Sequence, residues 1–275
     1  MKKRILRIFG FLFLIAAIIF LFLAYRQWQT YKTGNEAYDE LVEAYTDDSD
    51  TGNDSGDDTF TIDWDSLQKQ NPDIVGWIRM NPTVNYPIVQ GKDNHYYLRR
   101  GFDKTYNING TIFMHYENAK DWSDSNTVIY GHNMNSGVMF GNNDYYYDKS
   151  YADENPYFYI YVPDGMYTYK IFDVITTYDG TDPYEVHLHS IDAFSEYLNK
   201  MNQMKDYGTD TKVSTDDRIV SLSTCASHGK KRFIIQGVLY SFTDSDGVVH
   251  PANELKEKEY ETNSNDADTN EDVEV

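Results

Sequence analysis

Residues 217–242 read DRIVSLSTCASHGKKRFIIQGVLYSF, and they place two strand-like runs around the only cysteine of the chain, Cys225. Both runs are rich in Ile, Val, Leu and Phe, which are enriched in β-strands. The segment between them is polar and basic and contains a glycine, as expected of a turn. The stretch therefore predicts two β-strands, with Cys225 at the end of the first, where side chains meet solvent.

Six further runs of similar composition precede this pair, separated by Gly, Pro, Asn and Asp. Eight β segments predict a β-sandwich or a β-barrel. One clear helix interrupts them over 191–204, where Ser190 supplies the N-cap. A shorter helix begins after Asp63 or Asp65 and stops at Asn71, ahead of the first strand. The eight predicted β segments are 74–80, 84–90, 110–116, 126–132, 157–163, 166–178, 217–225 and 232–242.

The first 32 residues carry six basic residues and no acidic one, around an uncharged apolar run at 8–25. Eighteen helical residues span about 27 Å, close to the thickness of a hydrocarbon core. A cleaved signal peptide is the competing interpretation, but its apolar region is usually about 7–15 residues long and ends in a small-x-small site. Residues 1–26 therefore predict a cytoplasmic stub and a transmembrane signal anchor. The basic residues ahead of the span favour a cytoplasmic N-terminus and an extracellular remainder.

The net charge of −20 lies largely in the flanks of the chain. Residues 33–58 contribute −10 and the tail from Pro251 contributes −7. Self-repelling acidic segments of this kind are typical of solvated spacers, and a phosphate-binding surface would need a basic stripe, so nucleic acid is excluded as a partner. The division predicted is a juxtamembrane helix and acidic linker at 27–60, a catalytic domain at 61–243 and an acidic, disordered tail at 244–275.

Cys225 has two interpretations from spacing alone. A free cysteine is by default an inert core residue, whereas the basic cluster that follows would stabilise a reactive thiolate. A cysteine nucleophile also needs a proton donor, usually histidine. Among the seven histidines, His132 follows a strand and a glycine and enters a Gly/Asn-rich loop, a usual setting for a catalytic side chain. His228 is close in sequence but awkwardly placed in the same turn, and His187 with His189 has no third metal ligand nearby.

At this point several segments together resemble a known family. SLSTC followed by RFIIQG resembles the cysteine and arginine strands of the sortases, the transpeptidases of Gram-positive cell surfaces. NTVIYGHNM with GVMFG resembles the histidine strand and loop of their class B branch, and segments within 72–118 are similar to its N-terminal half. Ser221 stands where the family has a threonine. The seven residues from Cys225 to Arg232 form a short connection for this family.

The resemblance implies a mostly β fold, namely an eight-stranded sortase-type barrel with N-terminal helices and a helix before the cysteine strand. It implies Cys225 as the nucleophile, His132 as the general acid/base and Arg232 as the group that stabilises the oxyanion, with an adjacent lysine as the alternative to Arg232. No metal or organic cofactor is implied. The residues implied at the substrate groove are Tyr130, Ser223, Thr224, Asn94 and Leu98.

The reaction implied is cleavage of a C-terminal sorting signal after threonine, with a thioester on Cys225. The acyl group then passes to an amine of the peptidoglycan cross-bridge or of its lipid-linked precursor. Three alternatives stay open on sequence: a membrane-anchored cysteine hydrolase that delivers the acyl group to water, a pilin-polymerising sortase, and a wall-binding module that uses the chain's tyrosines for stacking.

Overall fold

The computed structural model describes residues 2–48, 60–80, 84–178, 182–226 and 231–255. Its helices differ from the sequence prediction at the N-terminus, where the apolar span and the juxtamembrane helix form one continuous helix. The two later predicted helices are present with the predicted caps, because Asp63 accepts a hydrogen bond from the backbone of Ser66, and Ser190 from that of Ala193. The helices are α1 (Lys2–Tyr45), α2 (Trp64–Gln70), α3 (Lys149–Glu154) and α4 (Ile191–Met204).

All eight predicted β segments are strands, and together they close a barrel. Neighbouring strands in the ring run β3-β4-β5-β6-β10-β11-β8-β7, and β7 returns to β3. The four additional strands are two or three residues long, and the sequence did not reveal them. The strands are β1 (Thr46–Asp48), β2 (Phe60–Ile62), β3 (Ile74–Met80), β4 (Val84–Val89), β5 (Ile112–Met114), β6 (Asn126–Tyr130), β7 (Tyr157–Val162), β8 (Gly165–Tyr178), β9 (Tyr207–Gly208), β10 (Ile219–Ala226), β11 (Lys231–Asp244) and β12 (Val249–Pro251).

The barrel has a filled interior and a second apolar layer outside it. Side chains from all eight ring strands form one buried cluster, which includes Leu222 of β10 and Phe233 of β11. The alternate residues of β10 and β11, such as Ile219 and Ile234, pack outward against Phe194 of α4. Because successive side chains of a strand point to opposite faces, the positions of β10, and those of β11 up to the irregularity after Leu239, are assigned either to the interior or to the α4 side.

The N-terminal helix is attached to the barrel through its last three turns. Tyr38 is 3% exposed, and its hydroxyl donates to the carbonyl oxygen of Gly110 and lies 2.8 Å from Oγ1 of Thr111. Leu41 is buried in a cluster with residues of β3, β4 and β5. The apolar run at 8–25 is exposed to the surroundings, and its length and composition make α1 a candidate membrane span.

The predicted acidic linker falls between two paired strands. β1 and β2 pair antiparallel, with Thr46 opposite Ile62 and Asp48 opposite Phe60. Residues 49–59, which hold most of the linker, lie outside the described part of the chain, as do residues 256–275 of the tail. The beginning of the predicted disordered tail is ordered, however, because β12 pairs with β11 through Phe242 and His250.

Candidate active site

Two parallel strands bring the predicted nucleophile and acid/base to the same end of the barrel. β6 pairs with β10 in parallel, with Tyr130 opposite Ser223. The amide of Gly131 donates to the carbonyl oxygen of Ser223 at 3.1 Å, which continues the ladder past the end of β6. His132 lies two residues after Tyr130, and Cys225 lies two residues after Ser223. The register therefore predicts that His132, two residues past the end of β6, lies beside the end of the cysteine strand, although 93 positions separate residues 132 and 225 in sequence.

Arg232, the third predicted residue, lies on the strand next to the cysteine strand in the barrel wall. β10 and β11 pair antiparallel, with Cys225 directly opposite Arg232. Directly opposed residues share one face of the sheet, with Cβ atoms about 4.5–5.5 Å apart. The connection of seven residues from Cys225 to Arg232 is short for the sortase pattern, and it places the two residues opposite each other.

The register also separates Arg232 from its neighbouring lysine. Lys231 is opposite Ala226, so it lies on the other face of the sheet, and its Nζ is 5.7 Å from the ring centre of Tyr178. Lys230 and His228 lie outside the described residues. Lys231 and Arg232 therefore lie on opposite faces of the sheet, and Arg232 is the one paired directly with Cys225.

His132 is fixed by a backbone carbonyl. Its Nε2 is 2.7 Å from the carbonyl oxygen of Leu98, and since a carbonyl can only accept, Nε2 carries a hydrogen. Nδ1 is then the ring nitrogen that can exchange a proton with a substrate. The amide of Phe140 donates to the carbonyl oxygen of His132 at 3.0 Å, which closes the loop behind the histidine.

The surroundings of His132 favour its neutral form. Burial lowers the pKa of His132 below its ordinary value, the hydrogen bond to Leu98 acts in the opposite direction, and the positive charge of Arg99 lowers the pKa further. The imidazolium is therefore scarce at neutral pH, which limits any reaction step in which His132 donates a proton.

Two tyrosines form a wall beside the cysteine strand. The ring of Tyr130 stacks on that of Tyr184 at 5.7 Å between centres, and the Tyr184 hydroxyl is 3.0 Å from Oγ of Ser223. Ser223 and Thr224 are each 2% exposed, and the alternation along β10 directs Thr224 toward the barrel interior. Oγ1 of Thr224 has no hydrogen-bond partner among the residues that the structure describes. Thr224 can thus border the groove through its backbone but not through its side chain.

The other predicted groove residues lie on the far side of His132. Leu98 is half-buried in a 3-10 turn, Tyr96–Arg99, and contributes the carbonyl described above. Asn94 is half-buried, and its Oδ1 accepts a hydrogen bond of 3.0 Å from the amide of Tyr116. Next to Tyr116, His115 is 6.0 Å from Tyr130 between ring centres. Asn94 and Leu98 thus flank the site on the side opposite to Arg232.

A buried hydrogen-bond network underlies the three strands that carry the site. Ser221 donates to Oδ1 of Asn126 and accepts from Nε2 of Gln236, each at 2.9 Å. The hydroxyl of Tyr197 on α4 accepts from the same Nε2 at 2.7 Å, and Nδ2 of Asn126 donates to the carbonyl oxygen of Glu185 at 2.8 Å. The hydroxyl of Ser221 therefore both donates and accepts a hydrogen bond. Serine can replace the threonine of the sortase pattern because it keeps this hydroxyl. The network also ties α4 and the segment that bears Tyr184 to β6, β10 and β11.

Sequence reasoning missed Tyr184 and the Leu98 carbonyl as parts of the site. Tyr184 lies in a polar stretch whose histidines, His187 and His189, are exposed, with Nε2 of His187 3.6 Å from Oε2 of Glu117. A single tyrosine among 25 carries no local signal. A backbone carbonyl carries none at all, because every residue has one.

Comparisons with known proteins agree with this geometry. The profile of the sortase domain family matches residues 79–240. Sortase B of Listeria monocytogenes is 36% identical over 208 residues, which cover 73% of this chain and 82% of the relative. Sortase B of Staphylococcus aureus is 30% identical over 176 residues, which cover 62% and 72%, respectively. A crystal structure of sortase B from B. anthracis superposes with a TM-score of 0.66 at 30% identity and covers 77% of this chain and 98% of the other.

The eight-stranded barrel and the match to the sortase domain define a sortase-type cysteine transpeptidase. The chain belongs to the sortase family, in its class B branch.

Proposed function

We propose that this transpeptidase cleaves a C-terminal sorting signal of surface proteins after a threonine and joins the new carboxyl end to a cell-wall amine. One observation carries the assignment of roles. Cys225 is directly opposite Arg232, and His132 lies at the same end of the neighbouring parallel strand. This arrangement supports Cys225 as the nucleophile, His132 as the acid/base and Arg232 as the oxyanion donor.

The first half-reaction forms a thioester. The Cys225 thiolate attacks the threonine carbonyl carbon, and the carbonyl electron pair moves to oxygen. The guanidinium of Arg232, which stays charged throughout, donates hydrogen bonds to that oxyanion. As the oxyanion collapses, the C–N bond breaks and the His132 imidazolium gives its proton to the departing amine.

The second half-reaction reverses the proton flow. The neutral imidazole of His132 takes a proton from the incoming amine, and the amine nitrogen attacks the thioester. Collapse of the second oxyanion forms the new amide and releases the Cys225 thiolate with His132 protonated again. Protons and charges therefore return to their starting state after each turnover.

The groove beside these residues is the proposed binding site of the sorting signal. The residues proposed to line it are Tyr130, Asn94 and Leu98, with Ser223 and Thr224, both buried, contributing backbone. Staphylococcus aureus sortase B has been solved as a substrate complex, and a sortase B has been solved in complex with triglycine. These complexes support a peptide donor and an amine acceptor for this chain, the latter from a peptidoglycan cross-bridge or a lipid-linked precursor.

The proposed location is the outer face of the cell membrane of a Gram-positive cell. The apolar run of α1 would span the bilayer, with the basic residues before it in the cytoplasm and the catalytic domain outside. The proposed division stays that of the sequence, with the anchor at 1–26, the juxtamembrane part at 27–60, the catalytic domain at 61–243 and the tail at 244–275.

The product mixture tests this function. Full-length protein in detergent micelles would be incubated with fluorogenic sorting peptides, each with and without triglycine or a diaminopimelate-type amine. We expect cleavage after threonine and, with the matching amine, an amide adduct identified by mass spectrometry. Free acid as the main product at saturating amine would indicate a hydrolase instead, and cleavage that survives Cys225→Ala would refute the mechanism.

Arg99 should affect the pH dependence of the reaction, because its charge lowers the pKa of His132. The rate depends on the fraction of enzyme with both an ionised Cys225 and a protonated His132. Arg99→Gln removes a charge that lowers the pKa of His132. The acid limb of the kcat/KM profile should move to higher pH, and its maximum should rise by the same factor, about 1.4- to 5-fold for an exposed charge.

The control for this prediction is Arg100→Gln, since the guanidinium of Arg100 lies 4.4 Å over the ring of Tyr96 and is not among the groups that shift the pKa of His132. At about 1 M salt, where the Debye length is about 3 Å, the effect of Arg99→Gln should shrink. An acid limb that stays in place at low salt would contradict the role of Arg99.

A further inference from the structure

A groove of about 840 Å³ lies between α1 and the loop at 101–108. Its lining on the helix side begins at Tyr25 and Arg26, where the apolar run ends, and continues to Tyr45. On the domain side it includes Tyr106. The groove therefore extends from the loop of the catalytic domain along the helix to the level at which α1 would leave the bilayer.

The helix and the loop are held together by direct hydrogen bonds. Nδ2 of Asn107 donates to the carbonyl oxygen of Gly34 at 3.2 Å, and Nδ2 of Asn109 donates to Oδ1 of Asn35 at 2.8 Å. A Cβ atom at Gly34 would stand 2.7 Å from Oδ1 of Asn107, so the close approach depends on glycine. With Tyr38 buried one turn further on, this part of α1 is packed against the catalytic domain.

The helix is unbroken between the apolar run and these contacts. Nine residues separate Tyr25 from Gly34, which corresponds to about 14 Å at 1.5 Å per residue. An α-helix of this length transmits position and orientation, unlike a polar tether. The catalytic domain is therefore held at a fixed distance from the end of the apolar run, within reach of the headgroup layer.

The side chains at this level have the character of a membrane interface. Tyr25, Trp28 and Tyr106 are 56%, 55% and 70% exposed. Tyrosine and tryptophan are enriched where the apolar core meets the headgroups, because their rings are apolar and their tips are polar. Of the charged residues that line the groove, Arg26 lies at the end next to the apolar run, whereas Glu40 lies 14 residues further along the helix and Asp103 lies on the loop. The groove thus offers its positive end to the bilayer.

We propose that the loop at 101–108 docks on the outer leaflet, with the ring of Tyr106 in the interface and phospholipid headgroups in the groove next to Arg26. This inference rests on the proposed membrane anchoring by α1. The loop follows directly on the turn that carries Arg99 and the Leu98 carbonyl bound to His132. Docking therefore holds the catalytic histidine at a fixed height above the bilayer, where a lipid-linked acceptor would arrive.

Depth-dependent fluorescence quenching tests the docking. Full-length protein would be reconstituted into vesicles of equal parts phosphatidylcholine and phosphatidylglycerol, with or without bromine on the acyl chains near the headgroups. Tyr106→Trp would be compared with Tyr240→Trp, both made in a Trp28→Phe background. Tyr240 is a matched control because it is 54% exposed and lies on β11 of the barrel. We expect brominated lipid to remove most of the emission added at position 106 and to leave the emission added at 240 unchanged.

Trp28 distinguishes failure of the docking from failure of the anchoring. In protein that retains Trp28, brominated lipid should quench its emission, as judged against the Trp28→Phe variant. Quenching of Trp28 without quenching at 106 would overturn the docking and leave the anchoring intact. Quenching at neither position would overturn both. Matching melting temperatures of the two tryptophan variants would show that neither substitution unfolds the protein.

Discussion

Replacing His132 with alanine should lower kcat/KM for transpeptidation by about 10²- to 10⁴-fold, the range usual for loss of a general acid/base. The departing amine is a poor leaving group unless it is protonated, and in the proposed mechanism His132, two residues past the end of β6, supplies that proton. Its Nε2 is occupied by the Leu98 carbonyl, so proton transfer must use Nδ1. The pH profile of the variant should also lose the limb that reports His132.

A change of leaving group separates this role from a structural one. A thioester substrate releases a thiolate that needs no proton, so acylation of Cys225 by it should be far less sensitive to His132→Ala than acylation by a peptide. His187→Ala is the matched control, because His187 is exposed and paired only loosely with Glu117 at 3.6 Å. Equal losses with peptide and thioester would show that His132 is not the proton donor.

Arg232→Gln should lower kcat by about 10²- to 10³-fold, the cost usual for removing one donor to a developing oxyanion. Glutamine keeps a hydrogen-bond donor, but its side chain is shorter by two bonds and lacks the permanent charge. Arg232→Lys should recover only part of the rate, since an ammonium keeps the charge but lacks the planar fork of donors. Single-turnover formation of the thioester would measure the effect on the chemical step itself.

Lys231→Gln is the control for Arg232. It removes the same charge one position away, but register places Lys231 on the opposite face of β11 from Cys225. We expect its kcat to stay within about twofold of the unmodified enzyme, as for a surface substitution away from the site. A large loss in Lys231→Gln together with a small one in Arg232→Gln would reverse the assignment of the oxyanion donor.

The ring strands could be predicted because each is long enough to show its composition. β8 and β11 run for 14 residues, and the shortest ring strand, β5, lies within a longer apolar run, 110–116. β1, β2, β9 and β12 have only two or three residues, too few for an alternating pattern to appear. Closure of the ring could not be predicted from composition either, because it depends on which strands pair.

The roles in the site were accessible through chemistry and resemblance, but their spatial arrangement was not. Nothing in the sequence places Cys225 opposite Arg232, since that register depends on the turn between them. No pattern in the sequence indicates that the anchor helix and the juxtamembrane helix are one. The segment 26–36 between them is polar, and only the contacts of Gly34 and Tyr38 with the barrel show why the helix continues.

The acidic segment lies between β1 and β2, which pair with each other, so it begins and ends at adjacent points on the domain. Its ends are fixed by the register of Thr46 with Ile62, and α1 reaches the barrel before the segment begins. The entropy cost of closing such a loop grows slowly, by about 0.6 kcal/mol for each doubling of its length. We therefore expect the segment 49–59 to accept an epitope tag or a reporter domain without a change in the contacts that join α1 to the barrel.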